Sequence, residues 1–250
     1  MMPLAAVELT RSRERPLLVT GPSLGTSVTT LRGRCARLFE DHFHVVVWDP
    51  PGHGLNSARA PERLSMGGLA AAVLDAVDEV LVARSQPGAR FASTADSVGG
   101  AVGLQLLLNV PERLTTATLA CTGAQIGDAA AWRDRGALVL GGGGIRAVES
   151  SRQRWFGPHF EARHPQVAQE LIDALVNADP MGYAVVCDVL RAFDVRHRLH
   201  EITTPVLAIA GSANVHTPPS LVRELVAGAA RSVRGACRSV TRHLRRRPPL

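Results

Sequence analysis

The chain of 250 residues contains no lysine, so all 28 of its basic residues are arginines, against 22 acidic residues. Aromatic residues make up only 4% of the sequence, and its four cysteines, Cys35, Cys121, Cys187 and Cys237, form no CxxC pair. Neither a metal knuckle nor a dithiol redox motif is therefore present, and we interpret the cysteines as reduced. No run of 18 apolar residues occurs, which argues against a membrane-spanning helix.

The net charge of +6 is concentrated at one end of the chain. Residues 226–250 hold seven arginines and no acidic residue, which leaves the rest of the chain at −1. A basic tail can bind nucleic acid electrostatically, but no aromatic residue is interleaved with this one for base stacking. The absence of lysine is typical of a GC-rich coding bias rather than of a binding surface. We therefore expect no nucleic-acid partner.

Length and composition favour one large core. Hydrophobic residues make up 46% of the 250 residues, which is ordinary for a single α/β domain of this size. Residues 1–16, MMPLAAVELTRSRERP, carry charges where the apolar region of a signal peptide would lie. We expect a cytoplasmic protein with no membrane partner.

Apolar segments alternate with helical patterns along the chain. Predicted buried strands begin the segments 16–27 and 44–57, and two more lie at Ala117–Cys121 and Val206–Ala210. Helical periodicity separates them, for example over Leu69–Val82. This alternation predicts a mostly parallel sheet built from right-handed crossovers, with helices on both faces.

The most informative motif is FASTADSVGGAVGLQLLL, residues 91–108, in which an apolar strand runs through Ser97 into a glycine-rich helix start. A serine on such a turn projects its hydroxyl clear of the sheet, and the amide of Val98 stands at a helix N-terminus. The usual elbow is G-x-S-x-G; here Ala95 replaces the first glycine and Gly99 is the second. Ser97 is a candidate nucleophile, and the alternative is a capped helix that happens to contain serine.

With these motifs the chain resembles the α/β-hydrolase superfamily and, within it, the 3-oxoadipate enol-lactonases of aromatic degradation. The resemblance extends to about Val226. The GHG turn and the elbow are superfamily marks, whereas SLGTS, CTGAQIGD...W, RWF and GY...C...FD are specific to the enol-lactonases. It implies an α/β-hydrolase core of residues 1–125 and 200–250 with a helical cap over 126–199.

The resemblance also implies a reaction and roles for residues. Ser97 would open a small anionic lactone by acyl transfer without metal or organic cofactor, while the amides of Leu24 and Val98 hold the oxyanion. In the cap, Arg135 would bind the substrate carboxylate and Trp132 would pack on the ring. The alternative for Arg135 is a solvated surface arginine.

The chain departs from the family at the other two positions of the catalytic triad. Asn214 stands where relatives carry the acid, and it cannot supply the charge that orients a histidine. His243 falls near the expected base position, but it can equally be an exposed residue of a tail. We interpret His216 as a surface loop residue. Asn214 itself can be a simple turn residue.

The last expected core strand has become ARSVRGACRSV, residues 230–240, with isolated valines among arginines. A parallel core strand needs a near-continuous apolar run, so we expect this segment to pack poorly and the C-terminal end to be incomplete or irregular.

Two hypotheses about function follow from the sequence. One is an active or weakly active enol-lactone hydrolase, and the other is a degenerate, non-catalytic protein of the same fold.

Overall fold

A computed structural model describes residues 4–56, 61–142, 151–157 and 159–237 of the chain. The strands are β1 Ala6–Glu8, β2 Leu17–Gly21, β3 His44–Trp48, β4 Phe91–Asp96, β5 Leu114–Ala120, β6 Val206–Gly211 and β7 Ser232–Cys237. The helices are α1 Val28–Phe39, α2 Met66–Ala83, α3 Val98–Asn109, α4 Ala129–Leu140, α5 Phe160–Arg163, α6 Pro165–Val176, α7 Pro180–Ala192 and α8 Pro219–Gly228. Two short 3₁₀ turns lie at Pro111–Arg113 and Arg196–Glu201.

Side-chain caps explain where several of these helices begin. Ser27, Ser65, Asp128 and Asp179 precede α1, α2, α4 and α7, and each side chain accepts a hydrogen bond from the backbone amide three residues later. Such caps satisfy an amide that has no partner within the helix. The helix α3 has no such cap, because its preceding residue, Ser97, has a different conformation.

The described strands form one seven-stranded sheet in the order β1-β3-β2-β4-β5-β6-β7. Only β1 is antiparallel to its neighbour, β3, and all other pairs are parallel. The predicted mostly parallel sheet is therefore confirmed. Because β4 lies at the centre of the sheet, the turn that follows it stands among the carboxyl ends of several parallel strands, where open α/β sheets bind ligands.

The core explains why the apolar runs of the sequence became central strands and helices. Every residue of β2 and of β3 is buried, as expected for strands covered on both faces. The glycine-rich helix α3 is buried over almost its whole length. It packs on the face of the sheet formed by β4 and β5, and against α2. The elbow is thereby anchored on a rigid element.

Part of the C-terminal segment, Ser232–Cys237, pairs with the sheet. These residues form β7, which pairs in parallel with β6 from Ser232 beside Val206 to Cys237 beside Gly211. The strand lies at the edge of the sheet described, so β6 is its one hydrogen-bonded neighbour there. Residues 238–250 lie outside the described part of the chain.

The segment between β5 and β6 holds the helices α4 to α7. The helices α4 and α7 pack closely, and a Cβ added to Gly136 of α4 would lie 3.6 Å from Cys187 Cβ of α7. The cap boundaries at 126 and 199 stay a prediction. Among the described residues, no helix is both long enough and apolar enough to cross a bilayer.

Candidate active site

Ser97 lies on the sharp turn between β4 and α3, as the elbow motif predicts. Its backbone has φ 52° and ψ −121°, a conformation that L-residues rarely adopt and that stores strain. Its amide donates to Ala120 O at 3.1 Å, and its carbonyl accepts from Thr122 Oγ1 at 2.8 Å. Within the described part of the chain the Ser97 hydroxyl makes no hydrogen bond, so it is not a helix cap.

The elbow is closely packed against the loop that follows β2. The Gly99 amide donates to Pro22 O at 3.0 Å, and a Cβ at Gly99 would lie 2.7 Å from that oxygen and 2.8 Å from Gly21 C. Only glycine fits so close to backbone, which explains why the second glycine of the motif is kept.

Two backbone amides face no protein acceptor at this point. Val98 is the first residue of α3, and Leu24 belongs to the loop between β2 and α1. Among the described residues, neither amide donates a hydrogen bond. Leu24 and Val98 are buried, so unpaired amides here are typical of a place that an anionic oxygen would occupy.

Residues of the segment between β5 and β6, called the inserted segment below, lie against the loop that contains Leu24. A Cβ at Gly25 would lie 3.2 Å from Trp155 Cζ2 and 2.6 Å from Leu175 Cδ1. Gly25 has φ 82°, the left-handed region, which allows the loop to turn in this space. The segment that holds Trp155 therefore borders the loop whose amide faces no acceptor.

A cationic cluster occupies the neighbouring part of the inserted segment. Arg135 of α4 donates through Nε to Tyr183 Oη at 2.7 Å and through Nη2 to Ser151 Oγ at 3.0 Å. Arg154 also donates to Ser151 Oγ, at 3.4 Å, and burial lowers its pKa, with Arg135 lowering it further. Within the described residues, Arg135 has no carboxylate partner.

The loop after β6 carries His216 and Asn214. Burial lowers the pKa of His216, and the charges of Arg154 and Arg135 lower it further. His216 is nonetheless an exposed residue of the loop. Asn214 Oδ1 accepts from the amides of His216 and Thr217, both at 3.0 Å, so Asn214 closes an Asx turn.

The predicted site residues thus fall into two groups. Ser97 and Val98 lie at the elbow and Leu24 lies in the loop that bonds to it through Pro22, whereas Arg135 lies in the cationic cluster. Trp132 shares α4 with Arg135, is half-buried, and donates its Nε1 hydrogen to Ile126 O. His243 lies outside the described residues. The roles of all these residues stay predictions.

His53, in the GHG turn, contacts the cluster from the core. Its ring stacks on Tyr183 with centroids 5.7 Å apart, and its Nδ1 donates to Pro51 O at 2.8 Å. Burial lowers the pKa of His53, so the ring is neutral near neutral pH. Tyr183 thus contacts His53 through its ring and Arg135 through its hydroxyl oxygen. Burial raises the pKa of Tyr183, so the phenol is protonated near neutral pH.

The sequence assigned no role to two residues near the site, Tyr183 and Asp96. Tyr183 is the one tyrosine of the chain, and the GY segment that contains it could have drawn attention to it. Asp96 lies inside the elbow motif and pairs with Arg32 of α1, 64 residues away, a contact for which the sequence carries no signal. Among the described residues, no group of three or more His, Cys, Asp or Glu side chains is arranged to hold a metal ion.

Comparisons with known proteins agree with this architecture. A family model described as serine aminopeptidase, S33, matches residues 12–243. The chain is 34% identical over 200 residues to 3-oxoadipate enol-lactonase 2 of Acinetobacter baylyi, covering 80% of this chain and 72% of the relative. It is 31% identical over 209 residues to 3-oxoadipate enol-lactonase 1 of the same organism, covering 84% and 75%.

Two solved structures of hydrolases are similar to this chain over most of its length. The enol-lactonase from Burkholderia xenovorans LB400 superposes with a TM-score of 0.85 at 25% identity, covering 94% of this chain and 88% of that one. A hydrolase from Pseudomonas aeruginosa PA01 gives a TM-score of 0.84 at 27% identity, covering 94% and 85%. The chain therefore belongs to the serine aminopeptidase S33 family of α/β-hydrolases. More particularly, it is an ester or lactone hydrolase with 3-oxoadipate enol-lactonases among its relatives.

Proposed function

We propose that the chain hydrolyses a small anionic lactone of the 3-oxoadipate enol-lactone type by acyl transfer to Ser97. The observation that carries this proposal is the strained turn at Ser97, whose hydroxyl makes no bond to the described protein. The two amides of Leu24 and Val98, which face no acceptor there, add the donors that a tetrahedral oxyanion needs. The Acinetobacter relatives named as enol-lactonases support the substrate class.

The chemistry is that of a serine hydrolase. Ser97 Oγ attacks the lactone carbonyl carbon while a histidine takes its proton, and the carbonyl oxygen becomes an oxyanion held by the two amides. The ring C–O bond then breaks, and the leaving enolate takes a proton to become a ketone. Water hydrolyses the acyl-enzyme through the same oxyanion, which releases the product and restores Ser97.

The substrate carboxylate is assigned to Arg135. Its guanidinium is fixed by Tyr183 and Ser151 but pairs with no carboxylate among the described residues. The neighbouring Arg154 adds positive charge to the same region. A cluster of this kind attracts a small anion and orients it by charge-assisted hydrogen bonds. Trp132, on the same helix, would pack on the ring of the lactone.

The test is hydrolysis of 3-oxoadipate enol-lactone by the purified chain, with Ser97→Ala as the variant. We expect measurable turnover that falls by at least about 10³-fold in Ser97→Ala. Two further variants identify the base, since His243→Gln should abolish turnover and His216→Gln should leave it largely intact. Equal turnover by Ser97→Ala and the unaltered chain would overturn the proposal.

A second candidate rests on Asn214. Its side chain closes a turn and brings no charge to a histidine. A protein of this fold without the triad acid can be a non-catalytic binder of the same lactone. Binding of the lactone in calorimetry, without hydrolysis in either the unaltered chain or Asn214→Asp, would favour this second function.

A further inference from the structure

A partly buried ion pair joins α1 to the strand that leads into the elbow. Arg32 of α1 donates through Nη2 to Gly21 O at 3.1 Å and, through the same nitrogen, to the Asp96 carboxylate. The exposed fractions of the two side chains are 20% for Arg32 and 21% for Asp96. Gly21 is the last residue of β2 and Asp96 the last residue of β4. One guanidinium nitrogen therefore connects the ends of two neighbouring strands.

These two strand ends carry the two amides that face no acceptor. Leu24 comes three residues after Gly21, and Val98 comes two residues after Asp96. The strands are paired in parallel up to Gly21 beside Ala95, where the ladder between them ends. Beyond that point, Arg32 adds a side-chain connection to the backbone bond from Gly99 to Pro22.

We propose that Arg32 and Asp96 form a positioning pair that fixes the distance between the Leu24 and Val98 amides. The inference rests on the proposed function, because it takes these amides to be the oxyanion donors. Such donors act when they lie about 2.7–3.1 Å from the oxyanion, so a shift of a few tenths of an ångström weakens both bonds. The pair touches no substrate and acts through the backbone alone.

The charge of Asp96 gives Arg32 a second effect. A carboxylate next to Ser97 in the sequence would repel an oxyanion forming at the elbow if it were unpaired. Burial raises the pKa of Asp96 and the Arg32 charge opposes that rise, so the guanidinium stabilises the ionised form and cancels its charge. A test has to separate this charge effect from the positioning effect.

The double variant Arg32→Met/Asp96→Asn separates them, because it removes the connection and leaves no unpaired buried charge. Since an unpaired carboxylate would disturb folding, the double variant is also the one expected to fold. We expect kcat for 3-oxoadipate enol-lactone to fall about 10-fold to 100-fold, with KM changed less than about twofold. The single variant Arg32→Met should lose more kcat than the double variant.

Arg34→Met is the matched control. Arg34 lies on the same helix, where it pairs with exposed Glu170 at 3.3 Å and makes no bond to Gly21 or Asp96 among the described residues. We expect its kcat and KM to equal those of the unaltered chain. The proposal is overturned if the double variant keeps the kcat of the unaltered chain, or if the variant changes only KM.

A second measurement keeps the positioning pair testable if the chain does not hydrolyse the lactone. Hydrogen–deuterium exchange is followed by mass spectrometry over peptides that contain Leu24 and Val98. We expect exchange in both to rise by at least about fivefold in the double variant and to stay constant in Arg34→Met. Unchanged exchange would overturn the positioning role, whereas absent hydrolysis alone would overturn only the proposed function.

Discussion

Arg135 is held by Tyr183 in two ways: Nε donates to the phenol oxygen at 2.7 Å, and the guanidinium carbon lies 5.5 Å from the ring centroid. A second nitrogen of the guanidinium, Nη2, donates to Ser151 Oγ at 3.0 Å. Because two of its nitrogens are already bonded to protein, the guanidinium is fixed before any ligand binds. A preorganised cation of this kind favours recognition of an anion over simple surface solvation.

The first prediction concerns this cation. We expect Arg135→Met to raise KM for 3-oxoadipate enol-lactone about 10-fold to 100-fold, because a charge-assisted hydrogen bond contributes about 1.5–3 kcal/mol. The KM for p-nitrophenyl acetate, a neutral ester, should stay within about twofold. Steady-state kinetics on both substrates make the measurement.

The control for that prediction is Arg133→Met. Arg133 lies on the same helix, is exposed, and pairs with the adjacent Asp134 at 2.9 Å. It should change neither KM. Tyr183→Phe, which keeps the ring and removes the acceptor, should raise KM for the lactone by a smaller factor than Arg135→Met. An equal rise for both substrates would show that Arg135 has only a structural role.

The second prediction concerns pH and His53. Burial lowers the pKa of His53 in the folded chain, whereas in the unfolded chain it takes up a proton below about pH 6.5. Below that pH the unfolded chain therefore binds more protons at this site, and the free energy of unfolding falls as pH falls. We expect His53→Gln to lose less of its stability than the unaltered chain between pH 7.5 and 5.5.

Urea unfolding at the two pH values measures this difference. Since Asp49 and Asp96 are present in both proteins, their contributions cancel in the comparison. His42→Gln, at an exposed position, serves as the control and should keep the pH dependence of the unaltered chain. If His53→Gln shows the same loss as the control, the imidazole is not responsible for any of it.

The third prediction concerns the glycine of the elbow. A Cβ at Gly99 would lie 2.7 Å from Pro22 O and 2.8 Å from Gly21 C, both of them backbone atoms that cannot move independently. We expect Gly99→Ala to lower the free energy of unfolding by about 1–3 kcal/mol and to displace the elbow, with a loss of turnover.

Gly67→Ala is the matched substitution for comparison. It lies in the first turn of α2, where the nearest atom to an added Cβ is Ser65 Oγ at 3.9 Å. We expect it to raise stability by about 0.4–1 kcal/mol, because alanine has fewer unfolded conformations than glycine. Thermal unfolding followed by circular dichroism compares the two, and similar shifts for both would contradict the close-packing argument.

The sequence predicted the parts of the fold that depend on local pattern. The central strands, the crossover helix α2 and the turn at Ser97 all follow from runs of neighbouring residues, and each is found near its predicted bounds. The elbow was predictable because its geometry needs small residues at fixed positions within five residues of sequence.

Features that depend on distant partners were not predictable. Arg135 meets Tyr183 across 48 residues and Arg32 meets Asp96 across 64, and no local pattern indicates either contact. The pairing of β7 with β6 also depends on a distant partner, because its own segment carries no apolar run.

The last prediction concerns Asn214. Its Oδ1 already accepts from the amides of His216 and Thr217 at 3.0 Å, and an aspartate would keep both bonds. The second carboxylate oxygen of Asp would then be available to accept the Nδ1 proton of the catalytic histidine. We therefore expect Asn214→Asp to fold like the unaltered chain.

The effect on turnover follows from where the charge acts. A carboxylate stabilises the imidazolium that exists only once Ser97 has been deprotonated, so it lowers the energy of the transition state rather than that of bound substrate. The reverse change in a serine-protease triad lowers kcat by about 10⁴. We expect Asn214→Asp to raise kcat at least about tenfold with little change in KM, measured on 3-oxoadipate enol-lactone. Asn177→Asp, an exposed asparagine after α6, controls for added negative charge and should leave kcat unchanged. If Asn214→Asp also leaves kcat unchanged while Ser97→Ala abolishes turnover, residue 214 is not the triad acid, and the imidazolium is stabilised from elsewhere.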